Sequence, residues 1–222
     1  MPKNISFKEA AALPLAGLTA LQAFQTHGKL KEGQKVAVLG GSGGVGSLAV
    51  QIAKALGAAH VVATGSAVDL IKGLGADTVI NYKEQDVVAA MTGLELDIVF
   101  DTVGGYDNWV AGQAALKTGG IYLTIVGDGG SIASIMASML WRNVKGVFGV
   151  LGPTYKVFLT STDAPAVTQD MRTLTELVES GALKPLVDAR DFELTTAGVG
   201  DIVTASMTHR TKGKLVLTVS KQ

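Results

Sequence analysis

The sequence predicts an α/β protein built on a doubly wound parallel sheet, with a smaller C-terminal unit beside it. Three observations carry that expectation. Short runs of apolar residues alternate with segments whose apolar residues recur at helical spacing. Six such runs precede residue Asp163, enough for a sheet of order 3-2-1-4-5-6. The first run, Val36-Ala37-Val38-Leu39, enters the glycine-rich turn Gly40-Gly41-Ser42-Gly43-Gly44-Val45-Gly46 and leaves it as an amphipathic helix.

The elements follow in order. Ser6 and Glu9 form the two ends of a capping box, and Pro14 interrupts the helix they start. Leu15 to Gln25 continues as a second helix. Lys35 to Leu39 is the first buried strand. After the glycine turn, Val45, Leu48, Ala49, Ile52, Ala53 and Leu56 share one helix face that closes at Gly57. Strands are expected at Val61–Thr64, Thr78–Asn81, Asp97–Asp101, Ile121–Val126 and Val144–Val150. Helices are expected between them at Val68–Leu74, Asp86–Met91, Trp109–Leu116 and Ile132–Trp141. Beyond Asp163 the alternation no longer fits a completed sheet. A helix starts at Pro165 and ends at Gly181, a strand covers Pro185–Phe192, a helix Thr196–Met207 and a closing strand Gly213–Val219. These divide the chain into a short lead-in (1–14), a nucleotide-binding domain (15–162) and a C-terminal unit (163–222).

Composition narrows the function classes. Of 222 residues, 47% are hydrophobic and 17% charged. The usual charged share is nearer a quarter, so apolar surface should be buried in a core, against a partner domain or across a subunit interface. The net charge is zero, and no basic stripe suggests a nucleic-acid partner. No cysteine is present, which excludes disulfides and thiolate zinc sites within these residues. No apolar run is long enough to span a bilayer, and no signal peptide is seen. A cytoplasmic location is the default, with the mitochondrion open if an N-terminal segment is missing.

The glycine turn carries the chemistry. Gly41, Gly43 and Gly46 match G-x-G-x-x-G, and Gly43-Gly44-Val45-Gly46 matches a tighter form. A sharp strand-to-helix turn needs residues without a Cβ so that a pyrophosphate can approach the backbone. The following helix offers it free N–H groups and a positive dipole end. This is the pattern of a Rossmann dinucleotide site. An NAD site places Asp or Glu at the end of the second strand to bind the ribose 2′-OH. Here that end reads Thr64-Gly65-Ser66, and the first carboxylate is Asp69. Ser66 can donate to a 2′-phosphate, and Tyr82, after the third strand, can reach the same group or pack on the surface. Lys72 can add charge or stay solvated. Together they favour NADPH.

Other chemistries lack their residues. A P-loop lysine is missing, because Ser47 follows Gly46 directly. No tyrosine has a lysine four residues on, and no G-x-S-x-G elbow occurs. His27, His60 and His209 lie far apart in sequence, without metal-ligand spacing. A nucleoside-binding methyltransferase shares the glycine turn but expects the missing acid.

Several stretches together resemble the zinc-independent quinone oxidoreductase branch of the medium-chain dehydrogenase/reductase superfamily. They are Phe7 to Pro14, Gly17-Leu18-Thr19-Ala20, Gly43 to Gly46, Gln51 to Lys54 and Leu74 to Asp77. Val79 to Lys83, Phe100 to Gly105 and Gly213 to Leu217 complete the set, so the resemblance runs through nearly the whole chain in order. Leu177 to Gly181 with Lys184-Pro185 looks closest to the reticulon-interacting mitochondrial type. The resemblance implies NADPH-dependent hydride transfer to quinones or activated enones. Apart from the resemblance, the apolar strand Val144–Val150 would sit at the sheet edge, where it invites pairing with its copy in a homodimer. It implies that Thr19 faces the nicotinamide. Leu15 stands where zinc-dependent relatives carry a cysteine ligand. Ser42, Gly44 and Val45 should meet the pyrophosphate, with Ser66 and Tyr82 on the 2′-phosphate. Val103, Ile125 and Gly127 should line the ribose and nicotinamide. Phe148, Phe158 and Thr160 should lie along the nicotinamide edge, and Arg210, Thr211 and Lys212 in a final loop that reaches the cofactor. The family's N-terminal GroES-like barrel is absent from these residues, so 163–222 would be the C-terminal remnant of that catalytic domain. The alternative to an enzyme is a non-catalytic NADPH-binding sensor or interaction module.

Overall fold

The computed structural model describes residues 1–127, 132–147 and 152–219. Helix α1 (Phe7–Ala12) begins at the capping box: the Ser6 hydroxyl accepts from the Glu9 N–H, and the Glu9 carboxylate accepts from Ser6 N–H. Pro14 opens α2 (Pro14–Gln22), where its missing N–H costs nothing, and a π-helical turn extends it over Ala23–His27. The alternation then runs β1 (Lys35–Leu39), α3 (Gly46–Ala55), β2 (His60–Thr64), α4 (Val68–Gly73), β3 (Thr78–Ile80), α5 (Val87–Met91) and β4 (Leu96–Asp101). It continues with α6 (Tyr106–Ala115), β5 (Leu116–Thr124), α7 (Ile132–Val147) and β6 (Thr154–Val157). After these come α8 (Ala166–Glu179), β7 (Phe192–Glu193), α9 (Thr196–Met207) and β8 (Leu217–Thr218).

The six-stranded sheet is parallel, in the order β3-β2-β1-β4-β5-β6. The central strands β1, β2 and β4 are buried on both faces over nearly their whole length, which is why they are largely apolar. Alternate residues serve opposite sides. Val36 and Val38 of β1 join a core with α2, α3 and α8, while Ala37 and Leu39 join one with α5 and α6. Phe24 and Phe100 meet edge to face at 5.8 Å in the first core, and each such side chain contributes about 1.5–3 kcal/mol of burial. Switching from β1 outward in both directions puts the β1–α3 turn at the crevice where such sheets bind ligands.

Two expectations change. The segment Val144–Val150 is not the sixth strand: 144–147 complete α7, and 148–150 lie outside the described residues. The edge strand comes later, at Thr154–Val157. Asn143 explains the longer helix. Its side chain exchanges hydrogen bonds with both the N–H and the C=O of Tyr155, and Arg142 stacks on Trp109 and Tyr155 at 4.7 and 4.4 Å. Second, among the described residues Pro185–Phe192 and Gly213–Val219 contribute only a two-residue pairing of β7 with β8 and two isolated bridges, Val187 to Lys214 and Gly43 to Gly213. Helix α8 packs on α2 and adds Leu174 and Val178 to the core that includes Val36 and Val38.

Candidate dinucleotide site

The glycine turn lies at the C-terminal end of β1 and runs into the first turn of α3. Gly40 needs its left-handed conformation (φ +86°), and its N–H donates to Thr64 Oγ1 at 3.1 Å. A Cβ on Gly46 would stand 2.0 Å from the Gly40 carbonyl oxygen, so this glycine is required for the turn to close. A Cβ on Gly41 would lie 2.9 Å from Ala63 Cβ. Gly43 differs: its nearest atom would be Gly40 O at 3.5 Å, and the position otherwise opens to space. That opening is where an anion can approach the backbone at the start of a ten-residue helix.

The turn floors a cleft of about 1020 Å³. Ser42, Gly43, Gly44, Val45, Tyr82, Val103 and Thr211 line it, all expected from the sequence. Ser66 follows the lining residue Gly65, and its Oγ is 3.5 Å from the Tyr82 hydroxyl, which donates to it. No carboxylate stands at the end of β2: Thr64 and Gly65 line the wall, and Asp69 lies in α4. A second cavity of about 220 Å³ adjoins, sharing Val45 and Lys214 with the first. Thr19, Ile125, Phe158 and Thr160 line it, with Leu15, Ala16 and Leu159. Thr19 Oγ1 donates to Leu15 O at 2.7 Å, so in its 2.7 Å contact with Thr160 the proton comes from Thr160. The remaining lone pairs of Thr160 can accept from an amide.

Not every expected residue reaches a cavity. Gly41 and Gly46 are inside the turn. Gly127 is buried at φ +68°, and its carbonyl accepts from Gly105 N–H. Arg210 and Lys212 are exposed and line neither cavity, because the Lys212 N–H is bound to Asp188 Oδ2 at 3.0 Å, which holds this loop. Phe148 lies outside the described residues. Conversely, Thr64, Asn108, Ser206, His209 and Lys214 line the cleft without having been expected. Lys214 was legible only as part of a Gly-Lys pair. Its Cδ would be 3.0 Å from a Cβ on Gly44, so its stem lies across the glycine turn.

Asp101 shapes the opposite wall. It is 1% exposed, and its carboxylate accepts from Val103 N–H and Gly104 N–H, both at 2.9 Å. It also accepts from the Tyr122 hydroxyl at 2.9 Å and Thr124 Oγ1 at 3.1 Å. Thr124 Oγ1 in turn accepts from Gly127 N–H at 3.1 Å. One buried carboxylate thus ties the turns after β4 and β5. Burial, and then the adjacent Asp101 charge, push the Tyr122 phenol far above its ordinary value, so it acts as a donor only. Burial, and then the charge of Lys156, hold His27 below its usual value. Its ring packs on Phe158 at 4.3 Å.

A family model described as zinc-binding dehydrogenase matches residues 74–217. The 2-methylene-furan-3-one reductase of Solanum lycopersicum is 34% identical over 219 residues, covering 97% of this chain and 48% of that protein. The mitochondrial NAD(P)H oxidoreductase RTN4IP1 of Homo sapiens is 39% identical over 133 residues, covering 56% of this chain and 33% of that protein. The solved Escherichia coli quinone oxidoreductase complexed with NADPH superposes with a TM-score of 0.77 at 27% identity, over 99% of this chain and 67% of that one. The chain spans about half the length of the first of these curated relatives. The sequence has no cysteine, and no cluster of three potential metal ligands occurs among the described residues. Fold, sheet order and sequence agree that the chain belongs to the zinc-binding dehydrogenase family of the medium-chain dehydrogenase/reductase superfamily.

Proposed function

We propose that this chain holds NADPH and presents it to a quinone or an activated enone, without zinc. One observation carries the reading: a dinucleotide-sized cleft over an open glycine turn runs into a small apolar cavity through shared walls, Val45 and Lys214. Ser42, Gly43, Gly44 and Val45 would hold the pyrophosphate, with the Lys214 ammonium beside it. Ser66 and Tyr82 would take the 2′-phosphate, which the missing carboxylate at the end of β2 leaves unopposed. Val103 and Ile125 would flank the ribose and nicotinamide, with Gly127 buried behind them and holding the turn through its carbonyl. Thr19, Phe158 and Thr160 would seat the ring, and Thr211 the final loop.

Bound NADPH supplies the hydride. The protein orients the ring against an acceptor between the apolar walls Ala16, Ile125 and Phe158. No side chain here is assigned as a general acid; a reduced quinone can take its proton from solvent. The test is titration with NADPH and NADH, then NADPH consumption with ortho- and para-quinones and an enone. Tighter NADH binding refutes the 2′-phosphate assignment. Binding without consumption supports the second reading, a non-catalytic NADPH module. Leu15 and Leu159, 60% and 86% exposed, favour that reading by leaving the small cavity open.

The chain would work as a homodimer in the cytoplasm or mitochondrion. The edge strand β6 and the exposed Met136, Leu140 and Trp141 of α7 support pairing, and a monomer by sedimentation refutes it.

A further inference from the structure

The C-terminal strip Lys212-Gly213-Lys214 reaches the glycine turn from far along the chain, and its placement is over-determined. Gly213 N–H donates to Ser42 O at 2.8 Å, and Gly43 and Gly213 form a parallel bridge. On the other side, Lys214 N–H donates to Leu186 O at 2.8 Å, and Asp188 N–H donates to Lys214 O at 2.9 Å. The Asp188 carboxylate closes the set by accepting Lys212 N–H at 3.0 Å. Asp188 therefore grips the strip on both sides of Gly213. Gly213 itself sits at φ +88°, where a Cβ would be 2.4 Å from Leu186 O. The carboxylate is 7% exposed and bound by the Arg190 N–H and guanidinium at 2.7 to 3.1 Å. Its two oxygens have only donors as neighbours.

The geometry points to Asp188 as a positioning residue for the dinucleotide: it latches 212–214 onto the glycine turn and so sets where Thr211 and Lys214 stand. This rests on the NADPH reading above. Asp188 lines neither cavity, so its effect on binding must pass through the strip. In Asp188→Asn, one oxygen becomes an NH₂ that faces a donor, either Lys212 N–H or the Arg190 groups. In Arg190→Ala, the carboxylate and its grip on Lys212 remain.

The experiment is NADPH titration of the chain by fluorescence, together with amide hydrogen exchange of residues 211–215 without ligand. For Asp188→Asn we expect Kd for NADPH to rise about tenfold, the loss of a hydrogen bond to a charged group, and faster exchange at Gly213. Arg190→Ala should keep Kd within about twofold, because the guanidinium is half exposed and the carboxylate still accepts from Lys212 N–H. Wild-type-like exchange at Gly213 in a folded Asp188→Asn protein overturns the latch, whether or not NADPH binds. An equal rise in Kd in Arg190→Ala overturns it too, by assigning the effect to the ion pair. Absence of NADPH binding to the wild type, with faster exchange in Asp188→Asn, refutes the cofactor reading and leaves the latch standing.

Discussion

Two alanines in the glycine turn should separate folding from binding. In Gly46→Ala the new methyl would stand 2.0 Å from the Gly40 carbonyl oxygen and 2.8 Å from its carbon. Both atoms are backbone, so the strain falls on the β1–α3 junction. Ordinary contact needs more than 1 Å of extra room, and overpacking of this kind costs about 1–3 kcal/mol or more. For a chain of this size each kcal/mol lowers Tm by about 2–4 °C, so a fall of about 2–12 °C is expected. In Gly43→Ala the nearest atom is 3.5 Å away and φ is not left-handed. Reduced freedom of the unfolded chain then stabilises by about 0.4–1 kcal/mol. Tm should hold or rise slightly. The same methyl projects into the open side of the turn, where the backbone N–H groups face an anion. NADPH affinity should fall by about tenfold or more, the loss of close backbone approach. The assay is thermal melting of both variants without ligand, then dinucleotide titration. A Gly43→Ala protein that binds NADPH as wild type refutes the placement of the pyrophosphate there. A Gly46→Ala protein that melts as wild type refutes the packing argument.

Tyr122→Phe removes a hydrogen bond to the buried Asp101 carboxylate; urea unfolding should show a loss of about 1.5–3 kcal/mol. Ser66→Asp puts a carboxylate at the end of β2, so titration should show NADPH weakened by about tenfold with NADH less affected. Thr160→Val keeps shape and removes the donor to Thr19; stability should change by about 1 kcal/mol and NADPH Kd rise several-fold. Hydrogen bonds from Arg190, then those from the Lys212 and Arg190 N–H groups, hold Asp188 at about 2, below its ordinary 3.8. Its folded value is depressed, so its contribution is full above about pH 4 and is lost as pH falls toward about 2. Melting curves across that window should show a steeper acid loss for wild type than for Asp188→Asn.

The sheet order and the first five strands were legible because those strands contain short apolar runs and the helices between them periodic ones, and both signals are local. The glycine turn was legible for the same reason, as was the absence of an acid at Thr64-Gly65-Ser66. The capping box at Ser6 and Glu9 also sits within four residues. What failed was distant in sequence. Val144–Val150 has the composition of a strand, but Asn143 and Arg142, bonded to Tyr155 and Trp109, carry the helix through Val147. A local pattern cannot weigh those contacts. The site divides the same way. Its floor, Ser42 to Val45, is one contiguous turn and could be read directly. Its far wall is assembled from Thr64, Asn108, Ser206, His209 and Lys214, and Asp188 holds part of it by bonding residues 24 and 26 positions later. No spacing rule joins those positions. Sequence determined which backbone turn is glycine-rich and open; only the tertiary structure decided which side chains line the cleft above it, because that depends on loops packing from opposite ends of the chain.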